Sequence, residues 1–357
     1  MSSDLVISVD GMGGDNAPGV VVAGVQLFAA ARKDVRILLH GDEARLTPLL
    51  EKSPAARKVS TIIHSPNVVA MDAKPAQALR RGKGTSMWSA IESVKNGQAR
   101  VVTSAGNTGA LMAMSRLQLR CVQGVDRPAL AALWPTEKGA CAVLDVGANV
   151  ENDATELAAF AVMGQAYFRA MFGKAQPSVA LLNVGAEDVK GHVEIREAAR
   201  LLRESGIEMN FIGFVEGDDI GKGAADVIVT DGFTGNVALK TAEGTARFVA
   251  KALKDAFKSG PFSILGALIA SGALSKVKSR LDPRKVNGAA FLGLNGHVVK
   301  SHGGTDALGF ATALKFAANL AASNVPEEVE ATLKRAPQLQ HAPRSRQADA
   351  IPTDVAS

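Results

Sequence analysis

The stretch Leu5-Val6-Ile7-Ser8-Val9-Asp10-Gly11-Met12-Gly13-Gly14-Asp15-Asn16-Ala17-Pro18 decides the fold. A short apolar run, a loop of glycines and small polar residues, and a proline at the head of the helical pattern Gly19 to Ala31 describe a strand feeding a helix through a tight turn. The alternation then recurs. Further apolar runs stand at Val35 to Leu39, Val59 to Ile63, Val101 to Ser104, Cys141 to Val146, Val179 to Asn183, Met209 to Gly213, Val227 to Thr230 and Ala289 to Leu294. Helical patterns follow Thr108 and cover Ala154 to Phe172, Val193 to Glu204 and Thr234 to Lys258. This is the signature of an α/β protein with a doubly wound, largely parallel sheet.

The chain of 357 residues, 47% hydrophobic and 21% charged, is long enough for two domains sharing one large sheet and too apolar for disorder. Cys121 and Cys141 are too few for a disulfide scaffold or a zinc cluster, so a reducing, cytoplasmic protein with both thiols in the core is expected. The start Met1-Ser2-Ser3-Asp4 has no basic region, and no export signal is expected. The uncharged run Ser259 to Ser275 is interrupted by Gly260, Pro261, Gly266 and Gly272 and is not read as a membrane span. An α/β body is expected over 1–335, with 336–357, which carries three prolines and no apolar period, as a disordered polar tail.

In open parallel sheets ligands bind beyond the carboxyl ends of the strands. Five loops in that position are rich in glycine and asparagine: 10–16, 104–109, 145–149, 183–187 and 231–236, expected on one edge. Glycine lets backbone N–H groups approach an anion, and a following helix adds its positive end, so phosphate is the natural guest; the same residues also make ordinary tight turns. The candidate phosphate ligands are Gly13, Gly14, Asn16, Ser104, Gly106, Asn107, Thr108 and Gly109.

Other chemistries lose support. The dinucleotide fingerprint fails at Asn16, where its third glycine is needed, and every Gly-Lys pair lacks the Ser or Thr of a phosphate-binding P-loop. No two histidines stand three or four apart, and no Gly-x-Ser-x-Gly elbow is present. Asp10, Asp15, Asp145 and Asp231 could hold a divalent cation, but loop carboxylates more often cap helices, and no metal is expected. Lys190 stands just before a helix, where a cation suggests a bound anion; it also suits a solvated pair with Glu187. Aromatic content of 4% offers few stacking platforms, and no nucleic acid is expected.

Read in order, the stretches Asp10 to Pro18, Pro75 to Met87, Ser104 to Met112, Arg127 to Ala131, Asp145 to Asn149, Leu181 to Gly191, Phe211 to Gly217 and Asp231 to Gly244 resemble the phosphate acyltransferases of the PlsX type. The resemblance implies an isocitrate/isopropylmalate dehydrogenase-like fold and transfer of a fatty acyl group from acyl-(acyl carrier protein) to inorganic phosphate for phospholipid synthesis. It implies a homodimer, no cofactor, and cytoplasmic residence with peripheral attachment to the inner membrane face, beside a membrane glycerol-3-phosphate acyltransferase. Under it, Asn183 and Asn236 are candidates to stabilise an oxyanion, Lys190 to offset phosphate charge or protonate the leaving thiol, and Asp231 or Glu187 to orient it. The pattern departs at Phe214, where the family usually has Asn.

The segment 251–285 carries +6 of a net charge of +5, and the rest of the chain sums to −1. With the apolar residues of 262–281 it reads as an amphipathic helical hairpin insertion, with Lys276, Lys278 and Arg280 facing an acidic carrier or an anionic membrane, or as a buried dimer contact. Alternatives to the acyl-carrier reaction are a phosphotransacylase using acyl-CoA, a metal-dependent dehydrogenase and a membrane-bound scaffold.

Overall fold

Alternating apolar runs give eleven strands in one sheet. In the computed structural model, which describes residues 5–280 and 282–340, they are β1 (Leu5–Asp10), β2 (Val35–Gly41), β3 (Ser60–His64), β4 (Val101–Ser104), β5 (Ala129–Thr136), β6 (Gly139–Leu144), β7 (Ser178–Leu182), β8 (Asn210–Val215), β9 (Val227–Val229), β10 (Ala289–Leu292) and β11 (His297–Lys300). Their order is β3-β2-β1-β4-β11-β10-β5-β6-β9-β7-β8. The side chains of Lys276, Lys278 and Arg280, and residues 341–357, lie outside the described residues.

Two of these strands, β5 and β11, are absent from the sequence reading, and they change the topology. β3, β2, β1, β4 and β11 run parallel. β10 pairs antiparallel with β11 and with β5, and β5 pairs antiparallel with β6. β6, β9, β7 and β8 are again parallel to one another. After three reversals, the second parallel half runs opposite to the first. The five glycine loops therefore do not share an edge: those after β1 and β4 lie on one, with the turn after β11, and those after β6, β7 and β9 lie on the other.

Helices cover both faces. The helices Gly19–Ala31, Ala154–Phe172 and Val193–Glu204 have the bounds their apolar periods predict. Ala154–Phe172 is buried from Glu156 through Phe168 and starts with a capping box between Asp153 and Glu156, so an uninterrupted apolar helix is held at a fixed starting point inside the second half. Cys141 is buried and Cys121 half-buried; burial pushes their thiols up to about 12 and about 11, which makes them packing residues and poor nucleophiles at neutral pH.

Over its described residues the basic apolar segment is largely helical, as the far end of a long helix Gly232–Phe257 followed by Pro261–Ile269 and Ser271–Arg280. Phe262 and Ile269 are 88% and 80% exposed. Among the described residues no helix is long and apolar enough to cross a membrane. The expected tail begins later than read: Ala336 and Leu339 are fully buried and the Gln340 side chain donates to the Leu333 carbonyl, so the body extends to at least 340.

Candidate functional site

At the first edge three loops are tied to one another by polar groups at the strand ends. Asp10, the last residue of β1, is buried; Ser104, the last of β4, donates its hydroxyl to Asp10 Oδ2 at 2.7 Å. The amide of Gly106 donates to Ser104 Oγ at 3.0 Å, and that of Met12 to Asp10 Oδ1 at 3.3 Å. Burial pushes the Asp10 carboxyl up, while hydrogen bonds from Ser86, Ser104, Met12 and Gly13 oppose the shift. The third loop joins through the backbone, with Ser301 N donating to the Ser104 carbonyl at 2.9 Å and Asp15 N to the Gly303 carbonyl at 3.0 Å. Gly13 is required by closeness, because a Cβ there would overlap Asp10 Oδ2 and come within 2.8 Å of Gly106 N.

This geometry sorts the expected phosphate ligands. The amides of Gly13 and Gly106 serve Asp10 and Ser104, and Ser104 itself is spent on Asp10, so these three shape the loops. Asn107 caps the helix Thr108–Leu119 by accepting from Ala110 N at 2.8 Å, and its amide donates to the carbonyls of Met71 and Ala73, leaving no side-chain donor for a ligand. Thr108 and Gly109 occupy the first turn of that helix, where backbone N–H groups have no intrahelical acceptor. Asn16 is exposed and Gly14 partly so.

Lys300 is the residue that sequence reasoning missed. It ends β11, is buried, and donates from Nζ to the carbonyls of Ala105, at 3.3 Å, and Ser301. Burial pushes its ammonium down to about 8. Its signal was available: Val298-Val299 followed by Lys300-Ser301-His302-Gly303-Gly304 repeats the pattern of an apolar run opening into a glycine loop.

The second edge is organised around Asp145 at the end of β6. Its buried carboxylate accepts from the amides of Leu130, Gly147, Ala148 and Asn149 and from Asn149 Nδ2, which makes it a loop organiser. Asn183 follows β7 and donates to the Lys190 carbonyl at 3.1 Å, while its Oδ1 is buried without a partner. Lys190 and Glu187 form an exposed ion pair at 2.9 Å, the solvated-face arrangement that their spacing allowed. Asp231 caps the helix Gly232–Phe257, accepting from the amide and hydroxyl of Thr234, and Asn236 is exposed beside Gly147.

All eight expected phosphate ligands thus lie at the first edge and all five expected catalytic residues at the second. The helix Gly232–Phe257 leads from one toward the other. Its first turn presses on the loop after β6, where a Cβ on Gly232 or Gly235 would overlap the carbonyl oxygens of Asn149 and Asp145. Further along, Lys240, paired with Glu243 at 3.0 Å, lies close enough to the first edge to oppose the charge of both Lys300 and His302. Among the described residues no group of three or more His, Cys, Asp or Glu side chains converges as a metal site. A cleft of about 330 Å³ lies away from both edges, lined by Arg36, Leu38, Ser89 and Glu92 among others, and holds none of the expected site residues.

Comparison with known proteins agrees with this architecture. Residues 5–328 match the model of the family described as fatty acid synthesis protein. A phosphate acyltransferase of Caulobacter vibrioides is 57% identical over 335 residues, 94% of this chain and 93% of that one. One of Rhodospirillum rubrum is 53% identical over 330 residues, 92% and 95% of the two chains. In fold the chain is similar to a phosphotransacetylase from Streptococcus pyogenes (TM-score 0.60, 18% identity, 90% of this chain and 95% of that chain) and to a branched-chain phosphotransacylase from Enterococcus faecalis (TM-score 0.54, 13% identity, 90% and 100%). The chain belongs to the fatty acid synthesis protein family, with the PlsX-type phosphate acyltransferases as its relatives, and is an acyltransferase.

Proposed function

We propose that the chain transfers a fatty acyl group from the thioester of acyl-(acyl carrier protein) to inorganic phosphate, giving acyl-phosphate for phospholipid synthesis and free carrier thiol. A phosphate oxygen attacks the thioester carbonyl, the tetrahedral intermediate expels the thiolate, and the thiolate takes up a proton. The observation that carries this reading is the first edge, where three strand-end loops are stitched together around the start of the helix Thr108–Leu119. The amides of Gly14, Thr108 and Gly109 with Asn16 are the proposed phosphate donors, on a frame set by Gly13, Ser104, Gly106 and Asn107.

The second edge supplies the thioester side. Asn183 and Asn236 are proposed to stabilise the oxyanion, Lys190 to protonate the thiolate, and Glu187 and Asp231 to orient it. We propose that the working centre forms where the helix Gly232–Phe257 brings Asn236 and Lys240 from the second edge toward the first, in a chain that acts as a homodimer. The exposed Phe262, Leu268 and Ile269 support peripheral attachment to the inner membrane face beside a membrane glycerol-3-phosphate acyltransferase, with Lys276, Lys278 and Arg280 proposed to meet the acidic carrier or anionic lipid.

A coenzyme A thioester is the second reading, favoured by the likeness of the fold to phosphotransacetylases. Incubation with acyl carrier thioester or acyl-CoA, each with and without phosphate, tests both. Phosphate-dependent thiol release from the carrier thioester is expected. Release from acyl-CoA alone selects the second reading, and release that ignores phosphate overturns both.

A further inference from the structure

Lys300 has no part in the reaction described above, yet its surroundings are incomplete in a specific way. It is a buried cation whose hydrogen-bond acceptors are two neutral backbone carbonyls, those of Ala105 and Ser301. It forms no ion pair with a carboxylate among the described residues; Asp15 and Asp10 favour its charge only through space, and Lys240 opposes it. An ammonium has three donors, so one remains after the two carbonyls are served. Burying a charge without a counter-ion is costly, and the depressed ammonium records that cost.

The position is as informative as the charge. Lys300 lies in register with Ser104 on the neighbouring strand, and its two carbonyl partners belong to the loops after β4 and β11. The third loop is bound to them through Asp15 N and the Gly303 carbonyl. His302 faces Lys240, Glu243, Lys300 and Asp15, so the long helix brings a second cation to the same place. Lys240 and His302 thus lie within electrostatic reach of Lys300 where the glycine loops converge, together with the carboxylates of Asp15 and Asp10, which act on Lys300 more strongly than Lys240 does, and the Glu243 already paired with Lys240.

We propose that Lys300 binds the phosphate acceptor directly, at the meeting point of the loops after β1, β4 and β11, with Lys240 facing the anion from the helix Gly232–Phe257. This rests on the acyl-transfer reading and names the side chain that recognises its acceptor. A phosphate dianion supplies the missing counter-charge and an acceptor for the remaining N–H, and charge-assisted hydrogen bonds are the strong ones.

Lys300→Met removes the charge and keeps the length. The folded variant is expected to lose the rise in melting temperature that inorganic phosphate gives the wild type, and to raise KM for phosphate at least about tenfold while KM for the acyl thioester stays within about twofold. Lys300→Arg is expected to recover part of both. A folded Lys300→Met protein with the wild-type melting shift and phosphate KM overturns the proposal, as does a wild type whose melting ignores phosphate. Should Lys300→Met fail to fold, acylation of lysines in the wild type, read by mass spectrometry, takes its place: phosphate must slow labelling of Lys300, and equal labelling overturns the assignment. Turnover that ignores phosphate in the wild type overturns the acyl-transfer reading, while the melting shift still tests Lys300 by itself.

Discussion

The two parallel halves of the sheet solve the same problem, holding polar strand ends inside the protein, in different ways. At the end of β6 one carboxylate, Asp145, gathers five N–H donors, four from its own loop and one from Leu130 on the neighbouring β5. At the ends of β1, β4 and β11 the bonds run between loops, from Ser104 to Asp10, from Gly106 to Ser104 and from Lys300 to Ala105. The first arrangement is complete without a ligand, as a structural staple should be. The second keeps a buried cation short of a counter-charge, which is how a binding site differs from a staple.

The largest effect should come from breaking the staple. Asp145→Ala strands several buried amides together, and a loss of about 3–5 kcal/mol in denaturant unfolding is expected. A loss under about 1 kcal/mol would mean that water replaces the carboxylate and that the two halves are less different than drawn.

Acid should act on the first half next. His40, buried on β2 between the hydroxyls of Ser89 and Ser93, has its ring pushed down to about 4 by burial, against 6.5 for the free side chain. Between those values the unfolded chain binds a proton that the fold refuses. Stability should fall as pH drops from 6.5 to 4, by about 3 kcal/mol, and His40→Gln should flatten that part of the profile.

A smaller effect is expected from Ser104→Ala, which takes one donor from Asp10 and one acceptor from Gly106. It should cost about 1–2 kcal/mol of stability and weaken phosphate-dependent turnover; turnover kept at the wild-type level would detach the stitched loops from the reaction. The smallest structural effect belongs to Lys190→Ala. Its ion pair with Glu187 is exposed, so the unfolding midpoint should not move measurably. Turnover should nevertheless fall at least about tenfold if Lys190 meets the leaving thiol. Unchanged kinetics would leave the pair as a solvated contact.

What the sequence disclosed follows from the strength of each local signal. Ala154–Phe172 and Val193–Glu204 are legible because an apolar period of 3.6 fixes the buried face and capping residues fix the ends. β5 carries a weak strand signal because Ala129–Thr136 is alanine-rich and contains Pro135, and β11 because His297–Lys300 has only two apolar residues. Both lie at the centre of the sheet, where neighbours on each side supply the stability their composition lacks. Missing them hid the reversal of direction and placed five loops on one edge. Lys300 is hidden in the sequence for the same reason, since a strand end is defined only by its strand. The glycine loops at Asp10 and Ser104 were legible, whereas the use of Gly13, Gly106 and Asn107 as framework depends on contacts between loops far apart in sequence.

The strand order also dictates a schedule for the growing chain. β4 and β5 are consecutive strands in the first half of the sequence, yet in the sheet they are separated by β11 and β10, whose residues lie near 300. Until that late hairpin emerges from the ribosome, the two halves can exist only as separate sheets with unpaired inner borders. Its insertion joins them and, in the same event, delivers Lys300 beside Ala105. Such distant pairing is slow and leaves open edges in the meantime. A nascent chain stalled before 289 would thus have two sticky borders and no lysine at the end of β4, so completion of the fold and completion of the anion site are a single step of synthesis.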